Sequence, residues 1–351
     1  MKAIIIISGL IIGLAFGLFP TFGKAKPTIW RILAVIFITF SVILGLLPPV
    51  GGTFYDLVYL SKFNEKSQLD IRMQVLNEKP VFDEVNKQWN AKIKYPDETE
   101  PQIYNLKISG STFPNELNPN NVLIVKMEYL KNQKSFKFIK IVSVNPIITL
   151  PYVLNLGERA KILNFHVPVA WLSVLAYLIS MIFAIKYLKT RDLNNDIIAS
   201  SSAVLGTIFC LLATVTGMVC AKFNWGSYWN WDPRETSIFV LLLIYGAYFA
   251  LRSAIDKDDL RARLSSIYSI IAFITVPFFI FVLPRITSGL HPGSAGEGTA
   301  GPILSSQSEM LNLTKTTIFS LCLSAFTVIY FWMLNISVRI KKLQYKSGMS
   351  L

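Results

Sequence analysis

Residues 197–221 read IIASSSAVLGTIFCLLATVTGMVCA, without one charged side chain. A helix rises about 1.5 Å per residue, so a run of this length crosses the roughly 30 Å hydrocarbon layer of a bilayer and satisfies its own backbone groups there. Similar apolar runs lie on both sides: Ile4–Phe19, Ile32–Leu47, His166–Ile185, Thr236–Leu251, Leu264–Leu283 and Thr316–Leu334. The 351 residues are 52% hydrophobic and only 16% charged, so the chain reads as an α-helical polytopic membrane protein of about seven spans. Lys2 followed by an apolar run also resembles a signal sequence. No small-residue cleavage site follows it, so the first helix is expected to be retained.

Charge sets the expected topology. Lys186, Lys189 and Arg191 follow the third span, Arg252, Lys257, Arg261 and Arg263 the fifth, and Arg339, Lys341, Lys342 and Lys346 the last. By the positive-inside tendency these segments are cytoplasmic, as is the short link carrying Lys24, Lys26 and Arg31. The segments around Trp225 and His291, and His166 at the start of the third span, are then all expected to face outward. Much of the net charge of +13 sits beside the spans, and no basic groove interleaved with aromatics is present, so no nucleic-acid partner is expected. The three cysteines, Cys210, Cys220 and Cys322, lie inside spans and form no Cys-x-x-Cys pair, which points to packing rather than to a thiol relay or a zinc site.

The polarity changes divide the chain into two N-terminal spans (1–50), a soluble extracytoplasmic insert (51–151), the main transmembrane domain (152–340) and a cytoplasmic tail (341–351). Ile103–Ile108, Val122–Leu130 and Phe136–Val144 are β-rich, with a turn at Lys131–Lys134, so the insert is read as a small β-rich domain. A helix is expected within Ile71–Trp89.

Trp225-Gly226-Ser-Tyr228-Trp229-Asn-Trp231-Asp232-Pro-Arg234-Glu235-Thr236 crowds three indoles and a phenol beside the membrane. An interfacial aromatic belt is one explanation. A flat surface for a planar apolar ligand is the other, since Gly226 leaves room beside the rings. Asp232, Pro233 and Glu235 have capping-box spacing and suit the start of the fifth span, whatever else they do.

This motif resembles the signature of the haem-handling superfamily that includes the haem exporter protein CcmC and the cytochrome c biogenesis protein CcsA. The likeness runs from about Leu156 to Ile340, includes Phe165-His166-Val-Pro-Val-Ala-Trp171 and His291-Pro292, and leaves out the insert. It implies haem as the bound group, with Trp225, Gly226, Tyr228, Trp229, Trp231 and Asp232 lining its site. Exporter-type members carry an outer histidine at the places of His166 and His291, and those are the two histidines of the chain. Two neutral imidazoles complete the two axial positions of haem iron. The synthase-type members' additional histidines within the spans are absent here, which favours a simple holding arrangement over synthase chemistry.

Haem propionates are anionic, and cations outside the membrane run against the usual bias. Lys222, Arg234 and Arg285 are therefore the candidate partners, with Arg234 inside the motif the first choice and helix-end snorkelling the competing explanation. The Gly- and Ser-rich segment from Arg285 to Thr314 is long for a connection and suggests a lid from which His291 could be released.

The expected function is to bind haem at the outer face of a bacterial inner membrane and deliver it for c-type cytochrome assembly, a transfer rather than a catalysed bond change. The resemblance implies, as partners, a haem chaperone or an apocytochrome c, other biogenesis membrane proteins, and membrane lipid. The alternatives are a synthase subunit, a scaffold without haem, and a transporter. The apolar runs carry no internal Asp, Glu, Lys, Arg or His, with His166 at one edge, to mark a polar translocation path.

Overall fold

A computed structural model describes residues 2–19, 23–47, 50–96, 101–150, 157–291, 294 and 313–347. Two compact units emerge: Met1–Leu46 together with Lys161–Leu351, and Leu47–Ala160.

The first unit is helical. Its elements are α1 (Lys2–Leu18), α2 (Thr28–Leu46), α4 (Leu163–Thr190), α5 (Leu193–Trp225), α6 (Pro233–Ser253), α7 (Asp258–Pro277), α8 (Leu283–Ile286) and α9 (Leu313–Lys346). A π-helical turn, Phe278–Val282, joins α7 to α8. Among the described residues, six helices are long and apolar enough to cross a membrane, and α1 is a shorter apolar helix. Each apolar run read from the sequence falls on one of these, and the protein is a polytopic helical membrane protein with a β-rich insert.

Without a hydrophobic drive between helices in lipid, close packing needs small residues at the contacts. Gly9, Gly13 and Gly17 put one face of α1 directly on α9: a Cβ at Gly13 would stand 2.8 Å from the Ser324 carbonyl oxygen. Lys26 then closes the end of α1, its Nζ donating to the Gly17 and Phe19 carbonyls at 2.7 and 2.6 Å. Asn164 of α4 reaches the Gly45 carbonyl of α2 at 3.0 Å. At the other end of α4 and α5, Arg252 of α6 clamps Asp196 of α5 through two hydrogen bonds of 2.8 and 2.6 Å. This pairing spares both buried charges an uncompensated desolvation.

The second unit holds α3 (Phe54–Ser61) and six strands: β1 (Gln68–Val75), β2 (Val81–Asp83), β3 (Gln88–Lys94), β4 (Tyr104–Ser109), β5 (Val122–Leu130) and β6 (Ser135–Val144). The order β1-β5-β6-β4-β3 is closed by β1 against β3, with β4 and β6 parallel and β2 a ribbon on β3. This is a small five-stranded Greek-key barrel of the OB type, an architecture that by itself assigns no function. Phe54 and Leu57 of α3 complete a core made by Ile71, Met73, Ile93, Leu106, Val125, Met127 and Phe136.

The three strands expected between residues 103 and 144 are present, and Lys134 in the left-handed region ends the turn between β5 and β6. The helix expected within Ile71–Trp89 is not formed. That stretch is β1, a turn, β2 and the start of β3. Leu69, Ile71, Met73 and Val75 alternate with polar residues and point inward with the period of a strand, and Pro80 interrupts any helical continuation.

Candidate functional site

His166 sits in the first turn of α4, with Nδ1 2.8 Å from Thr216 Oγ1 on α5. The single hydroxyl proton of Thr216 goes to the Leu212 carbonyl at 2.7 Å. In the tautomer that leaves the Thr216 proton on that carbonyl, the imidazole donates from Nδ1 and Nε2 keeps a lone pair. Gly217 makes this approach possible, because a Cβ there would lie 3.1 Å from His166 Cε1.

His291 has the same arrangement from a different source. Its Nδ1 is 2.9 Å from Asp232 Oδ1. An ionised carboxylate only accepts, so Nδ1 carries the proton in this contact. Asp232 also accepts the Arg234 and Leu290 backbone N–H groups at 2.9 and 2.5 Å. Burial pushes its carboxyl up, but the hydrogen bond from His291, the two backbone amides and the charge His291 can carry outweigh that and hold it at about 2. Gly289 admits the loop this close, since a Cβ at that position would meet Asp232 Oδ2 at 2.7 Å.

Asp232 is at the same time the N-cap of α6. Glu235 completes the box by accepting from the Asp232 backbone N–H, and it accepts from Asn230 N–H as well, at 2.7 Å. The helix-starting role read from the spacing and a role beside the histidine thus coexist in one carboxylate.

The aromatic residues divide. Trp225, the last residue of α5, lies against His291 with ring centroids 4.8 Å apart. Trp229 instead pairs edge-on with Trp231 at 5.7 Å and approaches Phe239 at 6.4 Å. Trp231 is 69% exposed and takes a positive φ of 55°, a costly backbone conformation for a bulky residue. Gly226 ends α5 in the left-handed region. Lys222 donates to the Gly226 carbonyl and lies 5.4 Å from the Tyr228 ring. Among the described ring contacts, Trp225 pairs with His291, and Trp229 with Trp231 and Phe239.

Arg234 and Arg285 lie within each other's electrostatic reach, as do His166 and His291. His291 is the last residue described before the Gly- and Ser-rich stretch; of that stretch up to residue 312 only Ser294 is described, so the expected lid falls outside the described residues. Thr216, Gly217 and Gly289 were not singled out in the sequence. A polar-glycine pair inside an apolar helix was the signal for the first two, and Gly289 had none beyond its neighbour His291.

The heme exporter protein C family model matches residues 120–348, more than half of the chain. A protein of Bradyrhizobium diazoefficiens named heme exporter protein C is 34% identical over 125 residues, 36% of this chain and 48% of that protein. Its namesake in Paracoccus denitrificans is 29% identical over 139 residues, 40% of this chain and 58% of the relative. The one in Escherichia coli is 31% identical over 138 residues, 39% and 56% respectively. The chain spans 48% to 58% of the length of these relatives. With two histidines each held at Nδ1 by a protein oxygen in a helical membrane unit and a family match over residues 120–348, the chain belongs to the CcmC, or heme exporter protein C, family.

Proposed function

We propose that the protein holds haem at the extracytoplasmic end of its membrane helices, with His166 and His291 as axial ligands, and passes it to a protein acceptor in c-type cytochrome assembly. The observation that carries this reading is the matched state of the two imidazoles. Each has Nδ1 within hydrogen-bond distance of a protein oxygen, and the neutral tautomer with its proton on Nδ1 leaves Nε2 for a metal, the arrangement in which an outer partner fixes tautomer and ring orientation.

The neighbouring groups fit the rest of the cargo. Trp225 offers an aromatic face beside His291. Arg234 and Arg285 lie within each other's electrostatic reach, with the carboxylate of Asp232 also acting on Arg234, and this pair of guanidiniums suits the two propionate groups. Nothing in this assignment breaks or makes a bond in the macrocycle. The chain's own residues hold, orient and release. Asp232 fastens both Leu290 and His291, so loss of its hydrogen bonds would loosen one ligand while His166 stays on α5. The basic flanks at Lys186–Arg191, Arg252–Arg263 and Arg339–Lys346 support an outward-facing site.

The test is a reduced-minus-oxidised absorption spectrum of the purified full chain. A low-spin spectrum with two nitrogen ligands is expected, turning high-spin or vanishing in His166→Ala and in His291→Ala. Unchanged spectra in both variants would remove the assignment.

A further inference from the structure

Strand β6 of the barrel is irregular in two places. Against β5, Lys137 pairs with Glu128, Phe138 with Met127, Lys140 with Lys126, Ile141 with Val125 and Ser143 with Ile124, so Ile139 and Val142 are extra residues, each forming a bulge. The bulge at Ile139 sets a charge pattern. Along a regular strand side chains alternate, and residues three apart point to opposite faces. With one residue bulged between them, Lys137 and Lys140 share the outer face. Both are exposed, and their partners on β5 flank the fully buried Met127.

Two more lysines join them from the neighbouring strands. Lys107 of β4 is the register partner of Lys137 and points outward between the buried Leu106 and Ile108, while Lys126 of β5 is the partner of Lys140. Lys107 donates to Gln133 Oε1 at 2.5 Å, which holds the turn carrying Lys131 and Lys134 beside the same face. Lys126 is neutralised by Asp70 at 3.1 Å, whereas among the described residues Lys137 and Lys140 form no ion pair. Like charges on directly opposite residues work against strand pairing, and the face holds two such pairs. An anionic partner reverses that cost.

The surroundings say which anion fits. The outward neighbours on β3 and β4 are Asn90, Asn105 and Ser109, which offer hydrogen bonds but no ring on which a base could stack. On the other side the face is bordered by the carboxylates Glu128 and Asp70. A long uniform polyanion, whether nucleic acid or a charged lipid sheet, meets those carboxylates and is repelled; a short acidic segment stops before them. We propose that the outer face of β4, β6 and β5, through Lys107, Lys137 and Lys140, docks a short segment of a partner protein rich in Asp and Glu. The inference does not rest on the haem reading.

The experiment titrates the purified full chain in detergent against a fluorescein-labelled peptide of alternating Glu and Ser, read by fluorescence anisotropy. Binding that weakens as salt is raised is expected. The pair Lys137→Gln, Lys140→Gln should weaken it by about fivefold or more, the scale of two partly exposed ion pairs. Lys137→Arg with Lys140→Arg should retain it. The control pair removes the same charge elsewhere: Lys79→Gln in the turn after β1 and Lys189→Gln at the end of α4, both exposed, should change binding by less than about twofold. Absence of binding overturns the proposal. So does an equal loss in the two Gln pairs, which means that only net charge matters, or a loss in the Arg pair as large as in the Lys137 and Lys140 Gln pair, which means damage to the barrel. Displacement of the labelled peptide by oligothymidine of equal charge, or by phosphatidylglycerol nanodiscs, at lower concentration than by unlabelled peptide assigns the face to nucleic acid or lipid and overturns it as well.

Discussion

The carboxylate of Asp232 accepts the Nδ1 proton of His291 at 2.9 Å across a sequence separation of 59 residues. It also starts α6, so one buried acid ties a helix end, a loop and an imidazole together. Asp232→Asn keeps an adequate helix cap but replaces one acceptor oxygen by a donor, among three N–H groups that all need acceptors. The variant is expected to accumulate normally and to lose haem affinity by about 10- to 100-fold, as seen when an orienting partner of a metal-binding histidine is removed. Haem titration of the purified variant checks this; unaltered affinity would make Asp232 a helix cap alone.

The seat of His166 gives a second expectation. Thr216→Val preserves shape and removes the acceptor for Nδ1–H, so weakened ligation of the same order, about 10-fold or more, is expected. Gly217→Leu forces bulk into the space now 3.1 Å from His166 Cε1 and should cost more than Gly217→Ala. The ratio of low-spin to high-spin absorption orders the three; a harmless Gly217→Leu would show that the ring does not rest on α5.

Arg234 and Arg285 are separable from the iron by changing the cargo. The double variant Arg234→Gln, Arg285→Gln is expected to lower retention of haem by about 10-fold or more, on the scale of one or two lost charge-assisted hydrogen bonds. Retention of haem dimethyl ester, whose propionates are uncharged, should be the same in variant and parent. Equal losses for both would assign the arginines to folding.

A fourth expectation concerns the helical unit. Gly13→Leu drives a side chain into the Ser324 backbone, which has no rotamer with which to move aside. Overpacking of this kind costs about 1–3 kcal/mol. A lower melting temperature in detergent is expected, together with loss of α1 packing on α9. Tyr55→Ser, on the free face of α3, should leave that melting temperature unchanged.

Much of this molecule was written in local pattern. Long apolar runs located the membrane helices among the described residues, because a helix in lipid has to satisfy its own backbone and so records its length in the chain. Alternation in 122–144 located β5 and β6. The motif around Trp225 and the lone histidine pair pointed to the family and to its cargo. The misreading of 71–89 came from weighing a mixed polar and apolar stretch without seeing that each inward residue of β1 has a barrel partner to pack against.

The sequence by itself determined which segments enter the membrane, where the soluble insert lies, and which side chains have the chemistry for iron. The tertiary structure alone decided that Thr216 and Asp232 hold the two imidazoles, that Trp225 packs on His291, and that five strands close into a barrel. Periodicity is a property of neighbours along the chain and is legible one residue after another. A hydrogen bond between His166 and Thr216, 50 residues apart, exists only once α4 and α5 have packed, and no local spacing encodes it.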